Sequence, residues 1–424
     1  MDSYINMKVN SRNISLSALS CLVFLYFSRS SFINFARLLR LSTTFVAGLI
    51  MLPFLAILVV YTFRSIKHIS WDGIAVIAIN AAFFIWTINA HPEYQIRFED
   101  LAHDGRYSAA AAFSLGAGIY AYYVIRLLQR EPDKLYNCFR VLAYVIFFLN
   151  IGTMLWNRTE EYKMDFGYQM EIVAILFISE YLFDSKNSRN MRKLFFSIVS
   201  IVAGVLYGSR ACIIGYVVFI GLFFIWQHKL NTRQLIIVVL TMLAAVTVSS
   251  SAIMTVFYNF FSSLGLHSRT LFYLAQGDIF AVDTARQDRI WPKLIQELSE
   301  SSVFKIRGAY GGRYLLNSYW PYEHNLILEL LLSFGVVIGG IMIIWVLIKT
   351  IRVLQYEKGS AGLLLLVFGT FSICRLMVSS SFWYEPYFWA YLAQLANCSH
   401  SIKESKRNRG LDFTRYVRPE NNNR

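Results

Sequence analysis

Apolar runs long enough to cross a bilayer recur along almost the whole chain, separated by short polar connections. A transmembrane α-helix needs about 20 mostly apolar residues. Lipid offers backbone N–H and C=O groups no partner, so such runs fold as helices, which satisfy their own backbone. Candidate spans are 14–27, 42–63, 70–90, 107–128, 135–156, 165–184, 193–208, 210–227, 235–257, 325–349, 360–380 and 382–398. They predict an all-α polytopic membrane protein of about 11–12 transmembrane helices, with 1–424 forming a single membrane domain. Composition agrees, because 56% hydrophobic and only 16% charged residues leave too little polar surface for a soluble chain of 424 residues.

A formal net charge of +14 would suit a nucleic-acid partner if the lysines and arginines were clustered. They are scattered between apolar runs instead, which excludes nucleic acid as the reading and makes them topology signals. Placing the basic tail 399–424 in the cytoplasm puts four other basic connections on the same side. These carry Lys349, Arg352 and Lys358; Lys229 and Arg233; Lys186, Arg189, Arg192 and Lys193; and Arg126, Arg130, Lys134 and Arg140. The long loop 258–323 then faces outward. Arg29, Arg37 and Arg40 disagree with this scheme if 14–27 spans, so the first helix stays open. The polar start and the short apolar run after it predict a retained helix rather than a cleaved signal peptide.

No internal repeat is visible, and the one large loop has no counterpart in the first half, which weakens a transporter built from inverted repeats. A flippase, a membrane protein of that other class, would also call for basic residues deep in several helices. The five cysteines show neither a C-x-x-C pair nor a zinc-like Cys/His grouping, so neither a metal nor another cofactor is indicated.

Chemistry is expected where the long loop meets the next span. His324 opens the run NLILELLLSFGVVIGG, at the water boundary, where a neutral imidazole can accept a proton. Asn325 and Glu329 share a helix face at i, i+4. Ser209-Arg210 sits in a tight turn between two apolar runs, which sets a guanidinium beside a helix N-terminus, a place suited to phosphate. The loop interleaves Arg286, Arg289, Lys293, Lys305, Arg307 and Arg313 with aromatics including Trp291. Pro292 sets the first turn of a short helix, Trp291 to Leu298, whose Leu294, Ile295 and Leu298 would lie on the membrane. Arg375 stands within the 360–380 span and Glu171 within 165–184; a structural pairing of Arg375 with Glu171 or Glu329 would offset the cost of burial.

With Ser209-Arg210, Arg289 two residues before Trp291, and His324-Asn325 ahead of Gly335 and Gly339, the chain resembles the O-antigen polymerase and ligase superfamily over roughly 200–345. The runs YKMDFGYQM and SSSFWYEPYFW look more like polymerases than ligases. The resemblance implies a fold related to the C-type glycosyltransferases, in a bacterial inner membrane, with the site facing the periplasm. It implies a metal-independent enzyme taking a glycan from an undecaprenyl-diphosphate-linked oligosaccharide, with a chain-length regulator as a possible partner. His324 would activate or orient the acceptor hydroxyl, and Arg210 and Arg289 would hold the diphosphate. Arg286, Arg313, Asn325, Tyr168 and Trp291 would contact substrate.

Overall fold

A computed structural model describes residues 2–64, 71–90, 118–128, 131–156, 164–183, 190–207, 211–227, 251–263, 268–276, 290–300 and 324–416. Among them there is no strand, and their helices, four of them long and apolar enough to span a bilayer, are those of an α-helical membrane protein. In chain order the helices are α1 (Asp2–Leu38), α2 (Thr43–Arg64), α3 (Trp71–Ala90), α4 (Ile119–Leu127), α5 (Pro132–Trp156), α6 (Met164–Phe183), α7 (Met191–Tyr207) and α8 (Ala211–Gln227). After these come α9 (Ser251–Ser263), α10 (Arg269–Ala275), α11 (Trp291–Glu300), α12 (Leu326–Phe334), α13 (Val336–Tyr356), α14 (Ser360–Leu376) and α15 (Pro386–Tyr416).

Among the described residues, four helical stretches are long and apolar enough to cross a membrane: Ala18–Arg37, Pro132–Trp156, Met164–Phe183 and Val336–Tyr356. Shorter apolar helices cover Phe45–Val60, Trp71–Ala82, Cys212–Gln227 and Ser360–Leu376. Of the expected spans 107–128 and 235–257, residues 107–117 and 235–250 lie outside the described residues, and the remainder falls in and beside α4 and in α9. At the N-terminus α1 runs unbroken past the basic residues Arg29 and Arg37, so the expected span 14–27 is part of one longer helix.

The core is built on α6 and α14. Helix α6 packs against α5, α7, α8 and α14, and α14 also packs against α15. Both are apolar around most of their circumference, so every face gains by contact with another helix. Phe139, Phe368, Phe371 and Tyr387 close the space between α5, α14 and α15, with ring centroids 4.8 Å apart for Phe139–Phe368 and 4.9 Å for Phe371–Tyr387. Helix α13 is the opposite case. Its Ile341, Ile344, Trp345, Leu347 and Ile351 are exposed from the protein, as residues in hydrocarbon would be.

Two breaks interrupt the expected pattern. The span predicted over 325–349 is two helices, because Gly335 at φ 86° and ψ 158° ends α12 and begins α13. That backbone region is open essentially to glycine alone. The second break is the buried, non-helical stretch 377–385 between α14 and α15, where 382–398 was expected to be helical from its start. Irregular backbone at such depth persists only where the protein satisfies its polar groups.

Charged side chains collect at the two ends of the bundle. At one end Arg126 reaches Asp72 at 2.5 Å and also bonds Asn397, tying α4 to α3 and α15. Arg140 and Lys193 both pair with the buried Glu180, the latter at 3.0 Å. Lys358 donates to the Trp226 carbonyl and Ser360 to Asp133 at 2.7 Å. Arg126, Arg140, Lys193 and Lys358, which the sequence reading treats as loop charges, are therefore also fastenings between helices.

Candidate functional site

The other end of the bundle holds the polar groups of interest, gathered around the stretch 377–385. Helix α14 unwinds after Leu376, and the Arg375 carbonyl accepts from the N–H of both Val378 (3.1 Å) and Ser379 (2.7 Å). Ser380 takes a left-handed backbone (φ 67°), which turns the chain back toward the protein. Ser381 Oγ donates to Glu329 Oε1, and the Phe382 N–H donates to Glu329 Oε2 at 3.1 Å. Gly118 N–H donates to the Trp383 carbonyl at 2.7 Å. A Cβ at residue 118 would stand 2.7 Å from the Glu385 backbone, so this approach requires glycine. Glu385 Oε1 accepts from the Tyr387 N–H at 3.2 Å, beside Pro386 at the first position of α15.

His324 faces this stretch from the start of α12. Its own backbone is left-handed (φ 54°), and its Nδ1 lies 3.2 Å from the Val378 carbonyl oxygen. A carbonyl only accepts, so Nδ1 carries the hydrogen, and in the neutral ring Nε2 bears the lone pair. The sequence places this ring at the open water boundary; in the structure it is 6% exposed and turned inward. The left-handed residue just ahead of the helix supplies that turn.

Asn325 is the N-cap of α12. Its Oδ1 accepts from the N–H of Ile327 (3.0 Å) and Leu328 (3.2 Å), which satisfies two of the helix's orphan donors. That oxygen therefore serves the helix. Asn325 and Glu329 do stand one turn apart, linked by the backbone bond from Glu329 N–H to Asn325 C=O at 2.9 Å.

Arg375 belongs to the last turn of α14 rather than the middle of a span. Its partners are Glu385 at 2.9 Å and Asp165 at 3.2 Å. The expected pairing with Glu171 or Glu329 is thus corrected, because the last turn of α14 sets the arginine beside the start of α6 and the end of the irregular stretch. Glu385 is 1% exposed, so the contact with Arg375 offsets the cost of burying its charge. Asp165 stands 75% exposed, and its contact is correspondingly weak.

Tyr168 lies under the same guanidinium, Cζ to ring centroid 4.8 Å, and is 1% exposed. The residue expected to line the glycan path thus packs beneath Arg375. Glu171 is fully buried and packed against Gly215 and Cys374, where a Cβ at 215 would overlap its carboxylate.

Trp291 opens α11, which packs against α12 and so stands next to the histidine-bearing helix. It is partly buried, with Ile290 and Leu294 buried beside it. Leu294 thus faces protein where membrane was expected, while Ile295 is exposed as predicted. Arg210, Arg286, Arg289 and Arg313, with Ser209 and Glu323, lie outside the described residues.

The structure therefore brings His324, Glu329 and Ser381 together, and Arg375, Asp165, Glu385 and Tyr168 together, on two sides of one irregular stretch. Asp165, Ser381, Glu385 and the Val378 carbonyl were missed by sequence reasoning. The one available cue was Glu385-Pro386, since proline at a first helical position marks the preceding residue as a cap. No family model, curated protein or solved structure matches the chain.

Proposed function

We propose that this protein is a membrane glycosyltransferase that lengthens a lipid-linked glycan, moving a chain from a polyprenyl diphosphate to an acceptor sugar hydroxyl. The observation that carries this reading is the pairing of His324 Nδ1 with the Val378 carbonyl, which makes Nε2 the basic atom of a ring at one end of an apolar bundle. A buried base at one end of a membrane bundle suits a substrate with an oily anchor and a sugar head. Supporting it is the order of Ser209-Arg210, Arg289, Trp291 and His324-Asn325, which resembles O-antigen polymerases.

In this mechanism the acceptor hydroxyl gives its proton to His324 Nε2 as its oxygen attacks the anomeric carbon. The bond from that carbon to the diphosphate oxygen breaks, and the diphosphate departs with the electron pair. Arg210 and Arg289 are assigned to the diphosphate, where guanidinium forks match phosphate oxygens and stabilise the developing charge. Transfer to a lipid A-core acceptor would need the same groups, so the acceptor distinguishes polymerase from ligase. The lipid-linked products of cells lacking the protein decide this. Single repeat units left on the carrier support polymerisation, accumulated full chains mean ligation, and an unchanged glycan profile removes the reading altogether.

A further inference from the structure

We propose that Glu329 is a positioning residue for His324, acting through the stretch 377–385 rather than by touching substrate. The proposal rests on the reading of His324 as the base, and its test separates the two.

The contacts close a ring. From His324 the chain passes through the cap Asn325 to Glu329 one turn later. Glu329 Oε1 accepts from Ser381 Oγ and Oε2 accepts from the Phe382 N–H. Three residues back along the same stretch from Ser381, the Val378 carbonyl meets His324 Nδ1. The spacing between histidine and carbonyl is thus set by a carboxylate that holds one side of the ring to the other. Ser380 has a left-handed backbone that few non-glycine residues adopt, a conformation that persists when neighbouring contacts over-determine it. Both ends of the stretch are anchored independently, by the Arg375 carbonyl and by the Arg375–Glu385 pair. Glu329 is 3% and Ser381 1% exposed, so neither reaches solvent to act on a substrate directly.

The geometry calls for a side chain with two polar ends, one facing the Ser381 hydroxyl and one accepting from the Phe382 N–H. In Glu329→Gln, one acceptor can stay on the Phe382 N–H while the new amide donor faces Ser381, whose hydroxyl can accept as well as donate. Glu329→Leu offers neither acceptor. Ser381→Ala removes one oxygen atom and one of the two bonds.

The experiment uses the full chain in detergent, with 15N-labelled histidine and the His324 signals identified by their loss in His324→Gln. The ring should show the Nδ1–H form in the wild type. Glu329→Leu and Ser381→Ala should shift it toward a mixture of tautomers, while Glu329→Gln keeps the wild-type spectrum. With a polyprenyl-diphosphate-linked repeat unit as donor, the first two variants should lose kcat by about a hundredfold at unchanged KM, the scale of a misplaced catalytic group. Glu329→Gln should retain most of it. A wild-type His324 spectrum in both Glu329→Leu and Ser381→Ala overturns the proposal. Should Glu329→Leu fail to fold, Ser381→Ala decides. If the tautomer shifts as expected but the wild type transfers no glycan, the positioning role stands and the glycosyltransferase reading falls.

Discussion

His324 and Arg375 do different work although both stand at the same end of the bundle. The histidine meets the Val378 carbonyl through Nδ1, and its replacement tests the chemistry assigned to the ring. His324→Ala should lower glycan transfer by about 10²–10⁴-fold, the usual worth of a general base, while donor binding persists. His324→Gln separates proton transfer from hydroxyl positioning, because an amide cannot take the proton; recovery with glutamine would assign positioning alone. Arg375 is a fastening. Arg375→Leu leaves Glu385 buried without its cation and should cost about 3–5 kcal/mol by denaturant unfolding, whereas Arg375→Leu with Glu385→Leu should recover much of that. Equal destabilisation of the single and double variants would show that the pair matters only for packing.

Helices in this protein are defined as much by their interruptions as by their lengths. Gly335 breaks a run that hydropathy reads as continuous, and it aims α12 and α13 differently from the same segment. Gly335→Ala should cost about 1–3 kcal/mol through a backbone region closed to side chains, seen as a lower unfolding midpoint. Gly118 is a second fixed point. A methyl there meets the backbone of Glu385 at 2.7 Å, which cannot swing aside as a side chain would. Gly118→Ala should therefore displace the irregular stretch and reduce transfer even in protein that still folds. Activity and stability both at wild-type level would show that the stretch tolerates movement.

For the whole molecule, the candidate site and the basic end lie at opposite ends of the bundle. Arg126, Arg140, Lys193 and Lys358 mark one end, and His324, Arg375 and Glu385 the other. The positive-inside rule would put the basic end in the cytoplasm and the candidate site on the outer face. Cysteines introduced at Ser301 and Ser405 should report it: a membrane-impermeant thiol reagent on intact cells should label 301 and spare 405. The reverse pattern would overturn both the orientation and the outward-facing site. Arg210→Lys adds a chemical test, since a lysine keeps the charge but not the bidentate fork; transfer should fall about a hundredfold.

The sequence by itself determined that the chain is helical and membrane-embedded, because the lengths of apolar runs answer directly to bilayer thickness. It also singled out His324, since a histidine beginning an apolar run is visible without coordinates. Hydropathy could not rank the helices. α13 and α14 are both apolar, yet α14 lies at the core and α13 has only 11% of its apolar window buried. Hydrocarbon and protein interior are equally welcoming to leucine, so depth in the bundle leaves little trace in composition. Nor could spacing reveal that Glu329 meets Ser381, 52 positions away, or that Arg375 meets Asp165, 210 positions away. Those partners come from helices brought side by side by packing, and only the tertiary structure decided them.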